Sequence, residues 1–134
     1  MVAVLVDSNV LLDLFTQDGT WFQWSARSLE QAADHARVVI NPVIFAELSV
    51  HFDKIEGLDA ALPPIVQREA IPFEAAFLAG KCFLTYRRRG GLKTSPLPDF
   101  FIGAHAAIAG YRLLTRDAKR YRTYFPRLSL MTPV

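Results

Sequence analysis

The sequence predicts an α/β fold with a central parallel sheet of about five strands and helices on both faces. Short β-branched runs alternate along the chain with segments of helical periodicity, which is the order typical of parallel βαβ units. The first run, residues 2–6, is apolar throughout, as expected of a strand buried on both faces. At 134 residues and 15.0 kDa, the chain is expected to form a single domain, residues 1–134, with a proper core.

Five segments have the composition of strands. The predicted strands are residues 2–6, 38–40, 69–71, 112–115 and 128–131. Right-handed crossovers would join them into one sheet. In open α/β sheets, ligands bind beyond the carboxyl ends of the strands, so residues that directly follow a strand are the first candidates for a site.

Helices are predicted between the strands from apolar periodicity and from proline positions. Asn41-Pro42 marks a helix start, because proline fits the first helical turn. The segment after Pro98 is apolar on most sides, which predicts a buried helix whose entry Pro96 and Pro98 fix. The predicted helices are residues 9–15, 20–36, 43–52, 57–66, 73 to about 87, 98–109 and 118–124.

Charge is divided unevenly along the chain. Residues 1–80 carry 4 Lys or Arg and 11 Asp or Glu, a net charge of −7, while residues 81–134 carry 11 and 2, a net charge of +9; these add to +2. A half this basic indicates a polyanionic partner, with nucleic acid as the first candidate. Its two acids, Asp99 and Asp117, would repel phosphate unless a cation lay between them, as in metal-dependent phosphodiester chemistry. The alternative is that both are helix caps.

Asp7 and Glu47 are candidate site residues in the acidic half. Asp7 ends the first predicted strand, where it either serves a site or caps the next helix. Glu47 shares a helical stripe with Val43 and Val50, so its side chain is expected to point inward. A buried glutamate needs a cation or a hydrogen-bond donor opposite it, and an internal ion pair with an arginine is the alternative.

Asp99 and Asp117 complete a set of four carboxylates. Asp99 opens the buried helix, whose positive N-terminal end suits an anion, and Asp117 follows the fourth predicted strand. Carboxylates converging from separate elements make an oxygen-rich site of the kind that Mg²⁺ or Mn²⁺ prefers. Five further acids are interpreted as a solvated face: Asp13, Asp18, Asp53, Glu56 and Asp59. Asp13 lies about one and a half turns beyond Asp7, so a supporting role at the site is the alternative for this residue.

Other site chemistries find little support. A single cysteine, Cys82, excludes an intrachain disulfide, is interpreted as core packing and favours a cytoplasmic protein. The three histidines are scattered, and the pair Glu47 and His51 lacks a third zinc ligand. Neither a nucleophile elbow nor a glycine-rich phosphate loop is present. Apolar runs fall far short of the roughly 20 residues of a membrane span, so no membrane association is expected.

Two basic clusters flank Asp99 and Asp117 in sequence. They are expected to contact phosphates and so to position a nucleic-acid strand, with a solvated surface as the alternative. The residues with a predicted contact to the nucleic acid are Arg87, Arg88, Arg89 and Arg116. Core packing is favoured over base stacking for the neighbouring aromatic residues: Phe100, Tyr121 and Tyr124.

Four segments resemble the acidic motifs of PIN-domain nucleases, in that family's order and over nearly the whole chain. The segments are VLVDSNVLLD at residues 4–13, PVIFAEL at 42–48, LPDFFIGAHA at 97–106 and LTRD at 114–117, followed by Tyr121 and by YFP at 124–126. The small size resembles the VapC-type toxins of bacterial toxin–antitoxin pairs. This resemblance implies a Mg²⁺-dependent endoribonuclease, with Mn²⁺ as a substitute, that forms homodimers and is inhibited by a small antitoxin protein.

The same resemblance assigns roles to individual residues. It implies an acidic quartet, which is Asp7, Glu47, Asp99 and Asp117. Asp7, Asp99 and Asp117 would bind the metal, and Glu47 would orient a water. Thr115 and Asn9 would supply supporting hydrogen bonds.

Two alternatives remain open. A non-catalytic RNA-binding or partner-binding module on the same fold predicts salt-sensitive RNA binding that EDTA does not affect. A phosphatase or phospho-acceptor with Asp7 as nucleophile would need a second acid two residues on, where the chain has Asn9.

Overall fold

The structure of the protein is a computed structural model that describes residues 3–94 and 97–133. The strands are β1 (Ala3–Val6), β2 (Arg37–Ile40), β3 (Val66–Arg68), β4 (Arg112–Leu114) and β5 (Leu130–Met131). They form one sheet in the order β3-β2-β1-β4-β5, and each neighbouring pair is parallel. The predicted five-strand parallel sheet is confirmed. Residue 2 of the predicted first strand and Pro96 lie outside the described residues.

Helices cover both faces of this sheet, as predicted. Within the described part of the chain they are α1 (Ser8–Phe15), α2 (Phe22–His35), α3 (Pro42–Ser49), α4 (Ile55–Ala61), α5 (Phe73–Arg88), α6 (Pro98–Ala109) and α7 (Lys119–Tyr124). The chain steps from β1 to β3 in one direction and then crosses to β4 and β5 in the other. Right-handed crossovers therefore place α1 to α4 on one face and α5 to α7 on the opposite face.

The core lies where the helices cover β1 and its neighbours. Every residue of β1 is buried, as its continuous apolar composition predicts. Helix α6 is buried along most of its length, which confirms that prediction too. Gly103 in α6 allows the Phe125 ring to pack against its backbone, because a Cβ at Gly103 would lie 2.3 Å from that ring. This contact fixes the end of α7 against α6.

Some predicted boundaries are wrong, each for a local reason. The third strand is Val66–Arg68 instead of residues 69–71. The predicted helix 57–66 instead runs from Ile55 to Ala61, because Leu62 precedes a proline and takes an extended conformation. Helix α3 ends at Ser49, which leaves Val50 81% exposed instead of on the inward stripe with Glu47.

The strand order reverses direction between β1 and β4, in the middle of the sheet. Their register pairs Val6 with Leu114, so Asp7 and Thr115 follow directly at adjacent carboxyl ends. The Asp7 backbone N–H also donates to the Leu114 carbonyl, at 2.9 Å. A reversal of this kind opens the crevice in which α/β sheets bind ligands. The fold thus places two of the predicted motifs at one position.

Candidate active site

Asp7 is the centre of a hydrogen-bonded cluster at this crevice. It is the N-cap residue of α1, and its Oδ1 accepts the Ser8 backbone N–H at 2.8 Å. Its Oδ2 accepts hydrogen bonds from the hydroxyls of Thr115 and Tyr121, both at 2.9 Å. The side chain is only 4% exposed. The two alternatives predicted for Asp7, a helix cap and a site residue, are therefore compatible, since it caps α1 and lies at the centre of the polar cluster.

Ser8 connects Asp7 to Glu47. The Ser8 hydroxyl donates to Glu47 Oε1 at 2.9 Å, across the contact between α1 and α3. Glu47 is half-buried and points toward the crevice. An arginine was the alternative partner, but among the described residues no Lys or Arg forms a salt bridge with Glu47. The hydrogen-bond donor that this buried glutamate requires is the serine hydroxyl.

Asp99 approaches the cluster from the first turn of α6. Its Oδ1 lies 3.4 Å from the Tyr121 hydroxyl, and its Oδ2 lies 3.3 Å from Nη1 of Arg120. Both partners belong to α7. Asp99 is thus held by two neighbouring residues of one helix, and Tyr121 lies between Asp7 and Asp99.

Thr115 ties the fourth motif to the same cluster. Besides donating to Asp7, its hydroxyl accepts the Asn9 side-chain amide and the Asp117 backbone N–H, each at 3.1 Å. Asp117 itself is exposed at the rim of the crevice. The structure thus brings all four predicted acids and both predicted supporting residues to one edge of the sheet.

The carboxylates influence one another electrostatically. Burial is the main cause that raises the pKa of Asp7 to about 6, and the nearby charge of Asp99 adds to it. Burial also raises the pKa of Glu47, with contributions from the charges of Asp7 and Asp99. The pKa of Asp99 is raised by burial and by Asp117, against the opposing effect of Arg120. Such a set of coupled carboxylates favours a bound cation or proton.

The chemistry of these donors fits a hard divalent cation. Asp7, Glu47, Asp99 and Asp117 offer only carboxylate oxygens, which Mg²⁺ and Mn²⁺ prefer. As the side chains are placed, the described residues contain no group of three or more His, Cys, Asp or Glu arranged to hold a metal ion.

Asp13 was interpreted as solvated, and this interpretation is wrong. Asp13 is 2% exposed, accepts the Ser25 hydroxyl at 2.7 Å and forms a salt bridge with Arg116. The Arg116 backbone N–H also donates to Asn9 Oδ1 at 3.3 Å. The guanidinium of Arg116, a predicted RNA contact, is therefore engaged in a salt bridge with a buried carboxylate. Its backbone supports the crevice through the hydrogen bond to Asn9.

The other predicted RNA contacts lie at the end of α5. All three arginines are exposed, but Arg87 donates to the carbonyls of Gly91 and Lys93 and so shapes the following loop. The Arg89 guanidinium lies 5.4 Å from the centre of the Tyr124 ring. Tyr124 in turn packs on Phe100, next to Asp99 in α6. The basic end of α5 is thus one aromatic layer from the helix that carries Asp99.

No role in the cluster was predicted for three residues that organise it: Ser8, Tyr121 and Arg120. A signal for Ser8 exists, because it sits beside Asp7 at the start of a helix. Core packing was predicted for Tyr121, which is 1% exposed, but only the tertiary packing of α7 reveals the contacts of Tyr121 and Arg120 with Asp7 and Asp99.

A second buried polar cluster lies beside this one. The His105 ring receives the Asn41 side-chain amide at Nδ1, because the Asn41 oxygen already accepts the Ile44 N–H. Nε2 then carries the proton and donates to Glu69 at 3.0 Å. Burial opposes ionisation of Glu69, but hydrogen bonds from Tyr111 and His105 outweigh it and lower its pKa. This cluster links α6 to the ends of β2 and β3.

Comparison with known proteins shows which family model and which solved structures this chain matches. The family model of the PIN domain matches residues 4–126. No curated protein sequence matches the chain. A structure of VapBC2 from Rickettsia felis, bound to a DNA fragment from their promoter, is 18% identical over 100% of both chains, with a TM-score of 0.75. A structure of VapBC-1 from nontypeable Haemophilus influenzae is 20% identical over 98% of each chain, with a TM-score of 0.72.

A third similar structure is VapC20 from Mycobacterium tuberculosis, described as a sarcin-ricin loop cleaving toxin. It is 15% identical over 90% of this chain and 95% of that chain, with a TM-score of 0.62. At such identities the likeness establishes the fold. Of the helices in the described ranges, none has the length and apolar composition needed to cross a bilayer. Since the family model spans nearly the whole chain and the four motifs meet at one crevice, the chain belongs to the PIN domain family.

Proposed function

We propose that this chain is a Mg²⁺-dependent endoribonuclease, the VapC-type toxin of a type II toxin–antitoxin pair. The observation that carries the proposal is the convergence of Asp7, Glu47, Asp99 and Asp117 at the reversal point of the sheet. Their mutual effects on pKa support the proposal, because coupled carboxylates are most stable with a cation among them.

Asp7, Asp99 and Asp117 would hold the metal, which is Mg²⁺ or, as a substitute, Mn²⁺. When bound, such an ion lowers the pKa of water and offsets phosphate charge in phosphodiester hydrolysis. Glu47 would orient the attacking water, in a position fixed by the Ser8 hydroxyl. Thr115 would hold Asp7 and the Asp117 backbone at fixed positions through hydrogen bonds, and Asn9 would hold Thr115.

RNA as the substrate is supported by charge and by one comparison. Residues 81–134 carry a net charge of +9 and include the exposed arginines at the end of α5. Such a surface binds phosphates and positions a strand. The similar VapC20 is described as a toxin that cleaves the sarcin-ricin loop. Arg88 and Arg89 would contact RNA, while Arg87 and Arg116 would contribute less, since their guanidiniums already have partners.

The proposal includes two protein partners and a cytoplasmic location. Structures similar to this chain are described as VapBC pairs, which supports a small antitoxin. A homodimer is supported by an apolar stripe on α5, where Phe73 is 90% and Phe77 68% exposed. Exposed aromatic stripes of this kind are typical of surfaces that become buried in a partner. The single cysteine supports the cytoplasm.

The decisive experiment is RNA cleavage by purified, antitoxin-free protein with Mg²⁺ or Mn²⁺. EDTA and the variant Asp7→Asn are the controls, and Asp53→Asn, at an exposed acid, controls for the loss of one charge. Cleavage that disappears with EDTA and with Asp7→Asn, but not with Asp53→Asn, supports the proposal. Cleavage that survives EDTA or Asp7→Asn overturns it.

One observation favours a second candidate, a non-catalytic RNA-binding module. No three acids in the described part of the chain are arranged as a metal site. RNA binding measured by fluorescence anisotropy, in EDTA and with added Mn²⁺, distinguishes the two candidates. The module predicts identical binding in both conditions and no cleavage, whereas the nuclease predicts cleavage as soon as Mn²⁺ is present.

A further inference from the structure

Tyr121 places its hydroxyl between two carboxylates from different elements. The oxygen lies 2.9 Å from Asp7 Oδ2, at the end of β1, and 3.4 Å from Asp99 Oδ1, at the start of α6. We propose that Tyr121 is a positioning residue of the metal site, whose hydroxyl holds Asp7 and Asp99 at the relative placement that a divalent cation requires. This inference rests on the proposed function.

The Tyr121 ring is held rigidly enough for this role. The residue is 1% exposed and is one of the largest fully buried side chains among the described residues. Four residues further on, Phe125 packs against the bare backbone of Gly103 in α6, the helix that also carries Asp99. The phenol and Asp99 are therefore attached to two helices that cannot shift independently. A hydroxyl held in this way fixes the orientation of the carboxylate that accepts its hydrogen bond.

The chemistry of the phenol limits how it can contact the two carboxylates. A tyrosine hydroxyl has one proton, so it can donate to only one carboxylate at a time. The shorter contact identifies Asp7 as the principal acceptor, and Asp99 receives the longer and weaker contact at 3.4 Å. Arg120 compensates from the other side of Asp99. Asp7 and Asp99 would hold a divalent cation, whose charge would offset theirs, and the phenol would keep the Asp7 carboxylate oriented.

Residues that orient metal ligands through hydrogen bonds usually change metal affinity when they are replaced, by 10-fold to 100-fold. We therefore expect Tyr121→Phe to weaken Mn²⁺ binding by about tenfold or more. The matched control is Tyr124→Phe, one turn further along α7. Its ring packs on Phe100, and within the described residues its hydroxyl makes no hydrogen bond to Asp7 or Asp99. Its Mn²⁺ affinity should stay within about twofold of the wild type.

The measurement is isothermal titration of Mn²⁺ into each purified protein without RNA, with thermal melting by circular dichroism to verify folding. Weaker binding for Tyr121→Phe alone, in a folded protein, supports the inference. A Tyr121→Phe affinity equal to that of Tyr124→Phe overturns it. The effect should also shrink in an Asp99→Asn background, because positioning requires both carboxylates; an undiminished effect there would contradict the bridging role.

The outcomes separate this inference from the nuclease proposal. Wild-type protein that binds Mn²⁺ more tightly than Tyr121→Phe does, but cuts no RNA, would retain the positioning role and overturn the nuclease. Wild-type protein that binds no Mn²⁺ overturns both. In active protein, steady-state kinetics at saturating Mn²⁺ should show a lower kcat for Tyr121→Phe with little change in the KM for RNA, since the phenol contacts the acids and not the basic surface. A change confined to KM would contradict the assignment.

Discussion

The Arg116 guanidinium donates two hydrogen bonds to the Asp13 carboxylate, from Nε to Oδ2 at 2.8 Å and from Nη2 to Oδ1 at 3.0 Å. The two residues are far apart in sequence, and their ion pair joins the end of β4 to α1. Ser25 of α2 donates to the same carboxylate. The pair therefore connects helices α1 and α2 to the segment that follows β4, which contains Thr115.

Arg116→Ala should lower the free energy of unfolding by about 3 kcal/mol, because it leaves a buried carboxylate without its cation. Arg68→Ala is the control, since Arg68 pairs with Asp59 at the exposed surface, where a salt bridge contributes at most about 1 kcal/mol. Chemical denaturation followed by circular dichroism measures both. Equal losses for the two variants would mean that the Asp13 pair is as solvated as the surface pair.

Asp7→Asn and Asp99→Asn should each lower the rate of RNA cleavage by about a thousandfold or more, because metal-assisted charge stabilisation is worth several kcal/mol. Metal-free Asp7→Asn should be at least as stable at pH 7.5 as the wild type, since it removes a charge that burial disfavours. Cleavage assays and thermal melting in EDTA test the two expectations. Simultaneous loss of folding and activity would indicate a structural role for Asp7 instead.

Stability of the metal-free protein should depend on pH through Asp7. The folded pKa of about 6 lies above the ordinary value of 3.8, so the folded state retains a proton that the unfolded state has released. This contribution, about 3 kcal/mol, is fully present below pH 4 and is lost as the pH rises through 6. Unfolding in EDTA from pH 4 to 8, compared with Asp7→Asn, isolates it. The fall should be smaller in the variant, which keeps only the part caused by the raised pKa values of Glu47 and Asp99. A fall of equal size in both proteins would contradict the assignment to Asp7.

Arg88→Ala should weaken RNA binding and reduce its salt dependence by about 0.7 in the slope of log K against log salt, the value for one phosphate contact on a single strand. Arg27→Ala, at an exposed cation of α2 in the acidic half, should leave the slope unchanged. Fluorescence anisotropy in EDTA at several KCl concentrations avoids cleavage. If both variants shift the slope equally, the basic end of α5 has no special part in binding.

Phe77→Ser should weaken self-association, because Phe77 and Phe73 expose apolar rings on successive turns of α5. Ile55→Ser is the control, as Ile55 is also exposed but lies on α4. Light scattering after size exclusion at several protein concentrations gives the mass. A Phe77→Ser protein that remains as dimeric as the wild type would exclude the α5 stripe from the interface.

Much of the fold follows from sequence pattern alone. The continuous apolar composition of β1 predicts a strand buried on both faces, and the prolines around Asp99 predict the start of α6. Both are dominated by local physics, namely side-chain burial and the fixed φ of proline. The third strand was misplaced because it lies at the sheet edge, where Gln67 and Arg68 are exposed and an apolar pattern is weak.

The candidate site could be predicted only in part, for a related reason. Asp7, Asp99 and Asp117 are recognisable because each follows a strand or lies near a helix start, and Glu47 is recognisable as an acid on an apolar helical stripe. Asp13 was misread because its partners, Arg116 and Ser25, come from elements that only tertiary packing brings together. The contacts of Tyr121 have the same origin. A single sequence contains no local signal for a hydrogen bond that spans more than 100 residues.

The pairing of β1 with β4 has a consequence for the order of events during synthesis. Val4 pairs with Arg112, and Asp7 meets Thr115, 108 residues further along the chain, only after β4 has been synthesised. Helices and the β1–β2–β3 half can form earlier, because their contacts are closer in sequence. A nascent chain that stops before β4 would thus lack the assembled crevice, and any cleavage of RNA would begin only once β4 has paired with the first strand.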